Sequence, residues 1–272
     1  MFHLLQKKHV DTLQLLIKQI DTIGIDETVR SMQELYTEVH AAIPEKKRIS
    51  VGGYSIIKKM GEEMFPMLLG EEVDVLTFGM AVYQNKNYDR FMRSLAVQLI
   101  SLSGEETGDL KHVLPFFEKV ALDDDWIVRE CSCGFVRKLF KKYPDEVKRW
   151  YLKMVRSSDP LQRRFACESL RPVADNAWFR KKWDFVSPIL EHLYHEPVPY
   201  PRTSIGNTLS DWMRIDETRT VQLVETLASD GDKNSYWIAY RACRNLVKKQ
   251  PEMVMNILQV DTYKYKDRQY KT

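Results

Sequence analysis

The 272-residue chain lacks the long apolar segments that a membrane-spanning protein requires. Its longest uncharged runs, Val75–Asn85 and Ser94–Gly104, are eleven residues each. A membrane-spanning helix needs about twenty apolar residues, so neither run is long enough to cross a bilayer. The first residues carry Lys7, Lys8 and Asp11 where a secretory signal has its apolar centre. We therefore expect a soluble protein that stays in the cytoplasm.

Cysteine is scarce, and its spacing fits neither a disulfide scaffold nor a zinc site. The chain has four cysteines, and Cys131 and Cys133 form a CxC rather than a CxxC pattern. Neither Cys167 nor Cys243 supplies a second pair at zinc spacing. The sequence therefore predicts reduced thiols in an intracellular compartment, with no metal and no cofactor.

Sequence motifs for common catalytic sites are also missing. Gly52–Gly53 lacks the lysine of a phosphate-binding loop, and there is no GxSxG nucleophile elbow. Four residues, Glu191, His192, His195 and Glu196, cluster near one predicted helix end. Their spacing differs from HExxH, so a polar helix terminus is an alternative to a metal site.

Charge and tryptophan are unevenly distributed. Residues 1–126 contain 14 Lys and Arg against 20 Asp and Glu, a balance of −6, whereas residues 127–272 contain 27 against 18, a balance of +9. The six tryptophans all lie in or at the edge of the basic part: Trp126, Trp150, Trp178, Trp183, Trp212 and Trp237. Such a composition is typical of a surface that binds a polyanion with stackable bases. Alternatively, the tryptophans fill helical cores and the cations solvate outer faces.

The hydrophobic pattern is helical along the whole chain. Apolar residues recur at i, i+3, i+4 and i+7, and there is little strand signal. The pattern predicts helices over 4–20, 26–42, 54–65, 71–84, 87–102, 107–121, 125–142, 144–157, 160–173, 177–195, 202–214, 217–229, 234–249 and 252–259. Asp159 is suited to cap a helix, Pro144 to begin one, and Pro115 and Pro188 to kink one.

The basic part contains an internal repeat. Taking Arg129, Arg163, Arg202 and Ala239 as equivalent starts gives spacings of 34, 39 and 37 residues. Four positions later stand Cys133, Cys167, Gly206 and Cys243, and seven positions later Val136, Leu170, Leu209 and Leu246. A period of this length with two helices per unit is typical of helical-repeat solenoids. The small column favours packing, rather than redox chemistry or metal binding, for three of the cysteines.

Three acidic residues follow the same repeat. Glu130 is one residue after its start, Glu168 five and Asp211 nine, so steps of four place them on one face of successive helices. Seven arginines are expected to surround them: Arg129, Arg163, Arg164, Arg171, Arg202, Arg241 and Arg244. Either the acids form structural ion pairs with these arginines, or they act on an electron-poor substrate.

Several segments resemble the AlkC/AlkD-type DNA alkylation repair proteins, and more closely their AlkC branch. They are DDDWIVRE (123–130), DPLQRRFACESLRP (159–172), Trp178, PILEHL (188–193), PRTSIGNTLSDW (201–212) and WIAYRACRNLVKK (237–249). The resemblance implies an all-α solenoid of HEAT-like repeats with a concave basic face that binds duplex DNA. It further implies a monofunctional glycosylase that releases N3- and N7-alkylated purines without flipping the base.

The resemblance also assigns roles to individual residues. Asp211 and Glu168 would stabilise the developing charge and orient water, with Glu130 in support. Trp178 and Trp126 would contact the substrate, although a core position is an alternative for Trp178. The seven arginines named above would hold DNA phosphates. The partner would be duplex DNA, alkylated or branched, bound by a monomer that is associated with the nucleoid in a bacterium.

Two other functions stay open at this point. A superfamily member without catalysis would bind branched or damaged DNA by shape. A protein-binding scaffold would use the same tryptophans and arginines as hot spots. For either function we expect one domain over 1–272, with acidic helices in 1–122, basic repeats in 123–260 and a tail in 261–272. The basic segment 264–272 is expected to be a disordered end.

Overall fold

The computed structural model describes residues 4–172, 177–266 and 268–271, without the side chains of 46–52. The chain divides into two compact units, Met1–Lys142 and Tyr143–Thr272. The change in charge near residue 126 therefore lies inside the first unit, and the sequence-based division at 122/123 stays a prediction.

The first unit is entirely helical over its described residues. Its helices are α1 Lys7–Lys18, α2 Ile20–Ala42, α3 Glu45–Gly70, α4 Val75–Gln84, α5 Arg90–Thr107, α6 Leu110–Val120, α7 Trp126–Phe135 and α8 Arg137–Lys142. Helix α5 packs against α3, α4, α7 and α8, so it is buried on most sides. Its polar residues need internal partners as a result: the Ser101 hydroxyl, for example, donates to the Phe135 carbonyl at 2.8 Å.

Asp123 is the buried charge of the first unit. Its carboxylate accepts hydrogen bonds from the Tyr83 hydroxyl at 2.7 Å, from Arg93 and from the Asp125 amide at 2.9 Å. Burial alone would raise the pKa of Asp123, but these donors lower it below its usual value. Asp123 therefore joins α4, α5 and the start of α7 as an ionised group.

The second unit contains three of the four predicted repeat starts, Arg163, Arg202 and Ala239. Its elements are α9 Pro144–Val155, α10 Pro160–Ser169, a 3₁₀ turn Phe179–Lys181, α11 Trp183–Leu190, a 3₁₀ turn Glu191–Leu193, α12 Pro199–Trp212, α13 Glu217–Ser229, α14 Lys233–Ala242, a 3₁₀ turn Leu246–Lys248, α15 Pro251–Leu258, and the strands β1 Thr262–Tyr265 and β2 Arg268–Lys271. Helices α10, α12 and α14 pack side by side in one layer, while α9 packs on α11 and α13 on α15 in the other. This arrangement confirms the all-α, helical-repeat class.

The sequence sets the helix starts by two devices. The side chains of Asp125, Asp159 and Asp232 each accept a backbone N–H of the first turn of α7, α10 and α14. Helices α9, α10, α12 and α15 begin with a proline, whose missing N–H leaves no unpaired donor there. The predicted cap at Asp159 and the predicted start at Pro144 are confirmed.

Counting from the N-caps fixes the repeat register. The caps of α7, α10, α12 and α14 are Asp125, Asp159, Val198 and Asp232. Four residues later come Arg129, Arg163 and Arg202, as predicted, but then Tyr236 rather than Ala239. The fourth start comes three residues earlier than predicted because the caps of α12 and α14 are 34 residues apart rather than 37. Cys133, Cys167 and Gly206 stand eight residues after their caps, but Cys243 stands eleven after Asp232, so Tyr240 and not Cys243 takes this position in the fourth repeat. Cys133 and Cys167 are buried, and a Cβ on Gly206 would meet the Arg241 side chain at 2.5 Å, so the first three positions of the column lie where helices approach closely.

Several predicted elements are wrong in detail. Helix α3 begins nine residues before the predicted 54, and the predicted helix 234–249 is α14, which ends at Ala242 and is followed by a 3₁₀ turn. Residues 177–195 were expected to form one helix, but α11 is flanked by 3₁₀ turns and ends two residues after Pro188. The predicted helix 125–142 is divided at Val136 into α7 and α8. Pro115, in contrast, lies within a continuous α6.

The C-terminal segment is ordered, which corrects the expected disordered end. Strands β1 and β2 form an antiparallel hairpin with Tyr263 opposite Tyr270. The Tyr263 ring is fully buried, stacks on Tyr240 at 4.3 Å between centroids, and donates its hydroxyl to the Tyr240 carbonyl at 2.9 Å. Because an isolated hairpin is only marginally stable, this docking on α14 holds it in place. Residues 267 and 272 lie outside the described residues.

Among the described residues, every helix is too short or too polar to cross a membrane.

The buried thiols give a direct test of the packing interpretation. Burial raises the pKa of Cys131 to about 11 and those of Cys167 and Cys243 to about 12. At pH 8 these three thiols are therefore protonated as well as inaccessible. We expect negligible labelling by Ellman's reagent in the folded protein and rapid labelling of all four thiols in denaturant. Rapid labelling of Cys167 in the folded state would contradict the packing interpretation.

Candidate functional site

Glu168 and Asp211 come together where two neighbouring repeat helices end. Glu168 lies in the last turn of α10 and Asp211 in the last turn of α12, and these helices pack side by side. The Trp212 indole N–H donates to the Leu170 carbonyl at 3.0 Å, and the Thr208 hydroxyl donates to the Cys167 carbonyl at 3.2 Å. These two bonds fix the axial position of α12 against α10, and therefore the separation of the two acids.

One arginine joins both carboxylates. The Arg171 Nη1 atom donates to Glu168 Oε2 at 2.9 Å, while Nε and Nη2 donate to Asp211 Oδ2 at 2.7 and 2.5 Å. Burial alone would lower the pKa of Arg171, but the negative charges of Glu168 and Asp211 raise it well above its usual range. Arg171 is thus a permanent cation that bridges two repeats.

The carboxylates are buried and surrounded by positive charge. Glu168 is 4% exposed and Asp211 is 8% exposed. Arg164 approaches Glu168 Oε1 at 3.8 Å, and Arg214 approaches Asp211 Oδ1 at 3.3 Å. Since an unpaired buried carboxylate would be costly, these guanidinium groups are what allow both acids to lie between the helices.

The two oxygens of Asp211 have different surroundings. Oδ2 receives both short bonds from Arg171, whereas Oδ1 faces the longer contact with Arg214, whose side chain is 62% exposed. Asp211 therefore has the geometry of a fixed, buried negative charge, one oxygen of which faces an exposed arginine.

Glu130 lies in the first unit and continues the register of the other two acids. It is five residues after its N-cap, compared with nine for Glu168 and thirteen for Asp211. Glu130 is partly exposed on α7. Trp126, at the first position of α7, is 60% exposed, which is unusual for so large a ring.

The repeated arginines have internal partners at the helix starts. The Nη1 atom of Arg163 donates to the carbonyls of Ser157 and Ser158 at 2.8 and 2.9 Å, Arg129 donates to those of Asp123 and Asp124, and Arg202 to that of Pro197. A side chain in the first turns of a helix points back toward the N-terminus, which explains how these guanidinium groups reach carbonyls of the loop before the helix. These contacts hold the loop before each helix, and the predicted phosphate contacts stay predictions.

Arg163 also belongs to a buried ion pair. Its Nε and Nη2 atoms donate to Glu196 Oε2 and Oε1 at 2.7 and 2.8 Å, and Glu196 Oε1 accepts the Val198 amide at 3.0 Å. Of the other residues in the alternative metal cluster, His192 contacts Arg156 at 3.1 Å and His195 contacts the Ser235 hydroxyl at 2.9 Å. The residues of this cluster therefore make separate polar contacts, which agrees with a polar helix terminus rather than with a metal site.

Three arginines lie over aromatic rings of the next element. Their guanidinium carbons are 4.5 to 5.1 Å from the ring centroids, in the pairs Arg164–Tyr200, Arg202–Trp237 and Arg241–Tyr265. We call these three pairs the arginine–ring ladder, since they connect α10 to α12, α12 to α14 and α14 to β1. Arg241 and Arg244 also donate to Asn207 Oδ1, which holds both on α14 and its C-terminal turn against α12.

Trp178 is partly exposed and begins the 3₁₀ turn before α11. The Lys182 ammonium lies 4.8 Å from its ring centroid. Trp178 is therefore not the buried core ring that the sequence allowed as an alternative to a substrate contact. Residues 173–176, which connect Arg171 to this segment, lie outside the described residues.

Sequence reasoning missed the ring partners and Arg214. Tyr200, which is 42% exposed, and Tyr265 carried no signal beyond their aromaticity, and Trp237 appeared only as one of six tryptophans. The offset from each arginine to its ring is 36, 35 and 24 residues, so the first two follow the repeat period and could have been found from it. Arg214 is three residues after Asp211, a spacing at which two helical side chains meet.

The fold defines a class of protein: a helical-repeat solenoid with acids and arginines at the helix ends. No protein-family model and no curated protein sequence matches the chain. Solved structures do match it. AlkD2 from Streptococcus mutans has a TM-score of 0.59 at 19% identity, covering 78% of this chain and 98% of AlkD2. The smu.31 protein from Streptococcus mutans UA159 has a TM-score of 0.54 at 18% identity, covering 71% and 98%.

A third match is the alkylpurine DNA glycosylase AlkC from Pseudomonas fluorescens, solved bound to DNA containing an abasic site analog. Its TM-score is 0.55 at 14% identity, covering 94% of this chain and 67% of AlkC. The chain therefore has the AlkC/AlkD-type fold, as the sequence resemblance implied. The TM-scores do not separate the two branches, so placement in the AlkC branch stays a prediction.

The Arg171 bridge predicts a large loss of stability when its charge is removed. Arg171→Met would leave two buried carboxylates without their shared cation, which we expect to lower the free energy of unfolding by about 3 kcal/mol at pH 7. Urea unfolding of the wild type and the variant measures the loss. A loss below about 1 kcal/mol, the range of an exposed ion pair, would show that burial of the carboxylates does not depend on the bridge.

Proposed function

We propose that this protein is a DNA repair glycosylase that hydrolyses the N-glycosidic bond of N3- or N7-alkylated purines in duplex DNA. The observation that carries the proposal is the Asp211 carboxylate, whose Oδ2 is held in place by Arg171 and whose Oδ1 faces the exposed Arg214. The AlkC/AlkD-type fold supports the choice of DNA as substrate.

The chemistry needs a fixed negative charge more than it needs a base. Alkylation at N3 or N7 makes the purine cationic, so the base leaves as a neutral molecule when the glycosidic bond breaks. The sugar then develops oxocarbenium character, which a nearby carboxylate stabilises. Asp211 would supply this charge and Glu168 would reinforce it, while water adds to the sugar carbon and releases its proton to the solvent.

The surroundings of the acids suit a DNA backbone. Guanidinium groups bind phosphate through paired N–H donors, and those of the arginine–ring ladder are already oriented by the rings beneath them. Trp126 and Trp178 are partly or largely exposed, so both rings are open to stack on a sugar or a base. Both features agree with binding of the backbone together with an exposed lesion.

A second candidate is a DNA binder without catalysis. The observation that favours it is the Arg171 bridge itself, since a carboxylate neutralised by an arginine stabilises a substrate cation less well. Such a protein would recognise the shape of branched or damaged DNA and release no base. A protein-binding scaffold is the third candidate, and it would leave DNA unbound near physiological salt.

Base release tests the catalytic assignment. Purified protein is incubated with methylated duplex DNA under single-turnover conditions, and free 3-methyladenine and 7-methylguanine are measured. Asp211→Asn keeps the shape of the side chain but removes its charge, so we expect release to fall by about a hundredfold or more. Glu168→Gln and Glu130→Gln should cause smaller losses.

The matched control is Glu225→Gln, which neutralises an exposed acid on α13. It should release base at the wild-type rate. Far-ultraviolet circular dichroism should give identical spectra for all variants. If Asp211→Asn were as active as Glu225→Gln, the assignment of Asp211 would be wrong. If the wild type released no base but bound the duplex, the second candidate would replace the first.

Salt dependence tests the role of the arginines. The logarithm of the association constant for an undamaged duplex should fall linearly with the logarithm of salt concentration, by about 0.9 for each phosphate contacted. Arg244→Gln should make the slope shallower by about 0.9, whereas Arg149→Gln on α9 should leave it unchanged. Fluorescence anisotropy from about 50 to about 200 mM salt provides the measurement. Identical slopes for both variants would exclude a phosphate contact at Arg244.

A further inference from the structure

A basic cleft lies beside the carboxylates, and nothing in the proposed function uses it. It has a volume of about 560 Å³ and opens to solvent. Its walls come from the 3₁₀ turn Phe179–Lys181, the start of α11 and the connection from α12 to α13. The charged and aromatic residues that line it are Arg180, Lys181, Trp183, Arg214, Asp216 and Arg219.

The cleft has an excess of positive charge. Arg219 is neutralised, since it donates to Asp216 Oδ2 at 2.6 Å and to Asp184 Oδ1 at 2.7 Å. This pairing holds the pKa of Asp216 below its usual value. Arg180 and Lys181 are exposed and have no carboxylate partner in the part of the chain that the structure describes. Among the described residues, the cleft therefore presents two cations without a carboxylate partner on one side.

Arg214 connects this cleft to the carboxylate pair. Its side chain lines the cleft, and its Nη2 atom approaches Asp211 Oδ1 at 3.3 Å. The contact is longer than the Arg171 bonds, and the Arg214 side chain is 62% exposed. An anion in the cleft would compete with Asp211 for Arg214, because the Arg214 side chain is exposed to the cleft and its 3.3 Å contact with Asp211 is longer than a charge-assisted hydrogen bond.

We propose that the cleft binds a phosphodiester group of the DNA backbone and that Arg214 leaves Asp211 for this phosphate when DNA binds. The cleft would then have two roles. Arg180, Lys181 and Arg214 hold the phosphate, and the departure of Arg214 uncovers Asp211 Oδ1 for the cationic substrate. The proposal rests on the proposed function for its partner, which is DNA, but not on base release.

The chemistry of the cleft favours a phosphodiester over a small apolar ligand. Guanidinium and ammonium groups are the donors that bind phosphate in proteins. The cleft is open, so a continuous chain can pass through it. A single phosphate contact also places the backbone directly beside Asp211, where the proposed reaction needs the sugar.

The first experiment removes the uncompensated cations. The double variant Arg180→Gln, Lys181→Gln should bind an undamaged duplex about tenfold more weakly than the wild type. Its salt slope should be shallower by about 0.9, the value for one lost phosphate contact. The matched control is Arg149→Gln, Lys153→Gln, which removes two exposed cations from α9. Equal losses in both double variants would reduce the effect to net charge and overturn the proposal.

The second experiment tests the exchange of Arg214. Asp211→Asn frees Arg214, so it should tighten binding of the undamaged duplex by about twofold to fivefold, the range set by a weak exposed ion pair. The tightening should disappear in an Arg214→Gln background if it depends on Arg214. Equal tightening in both backgrounds would attribute it to the lost negative charge alone, and the exchange would be excluded.

A third measurement distinguishes DNA from free phosphate. Inorganic phosphate at constant ionic strength should displace the duplex from the wild type and have less effect on the Arg180, Lys181 double variant. Phosphate binding by a wild type that retains no duplex would overturn the assignment to DNA. Duplex binding that depends on the cleft, without base release, would support the cleft and refute only the catalytic proposal. Base release that does not depend on the cleft residues would support the catalytic proposal and refute the cleft.

Discussion

Two carboxylates are buried between α10 and α12, and Arg171 supplies a positive charge that both of them share. The arginine donates to Glu168 on one helix and to Asp211 on the next, so the ion pair also determines how the two repeats are aligned. Packing alone would permit several axial positions for helices whose contact column consists of small residues such as Cys167. The bridge selects one of them, together with the bond from Trp212 to the Leu170 carbonyl. The packing of the layer and the geometry of the candidate site therefore depend on the same interaction.

The repeated arginines illustrate a second constraint, which concerns helix starts. A cation near the positive end of a helix is unfavourable unless other groups compensate for it. Arg163 meets this requirement with two loop carbonyls and Glu196, and Arg202 with a loop carbonyl and Asn234. The same contacts fix the direction of each guanidinium group. The donor nitrogens of Arg163 are all engaged by these internal partners, so its observed role is to stabilise the loop before α10.

The sequence predicted features that depend on neighbours along the chain, and it missed features that depend on distant ones. Helices, the Asp159 cap and the four-residue step of the acids follow from local periodicity. The sequence grouped Arg171 with six other arginines, because its partner Asp211 lies forty residues further along the chain. Tyr263, near the end of the chain, is another feature that the sequence missed. A single buried ring in a strongly charged segment gives almost no local signal, yet this ring orders the hairpin. The breaks around α11 were missed because the apolar pattern continues through the 3₁₀ turns.

The Arg171 bridge also bears on the kind of chemistry that Asp211 can perform. A carboxylate oxygen that already accepts two short bonds from a guanidinium, as Asp211 Oδ2 does from Arg171, is less available to accept a proton from water. Such a group is better suited to stabilise a positive charge than to activate water strongly. On the proposed function, the substrate would have to bring its own reactivity, which an alkylated purine does because it is already cationic. An unmodified purine would need an acid to protonate it, and Asp211 Oδ2 is engaged as the acceptor of two N–H groups. The same bridge that permits burial of the acids would therefore restrict the reaction to damaged bases.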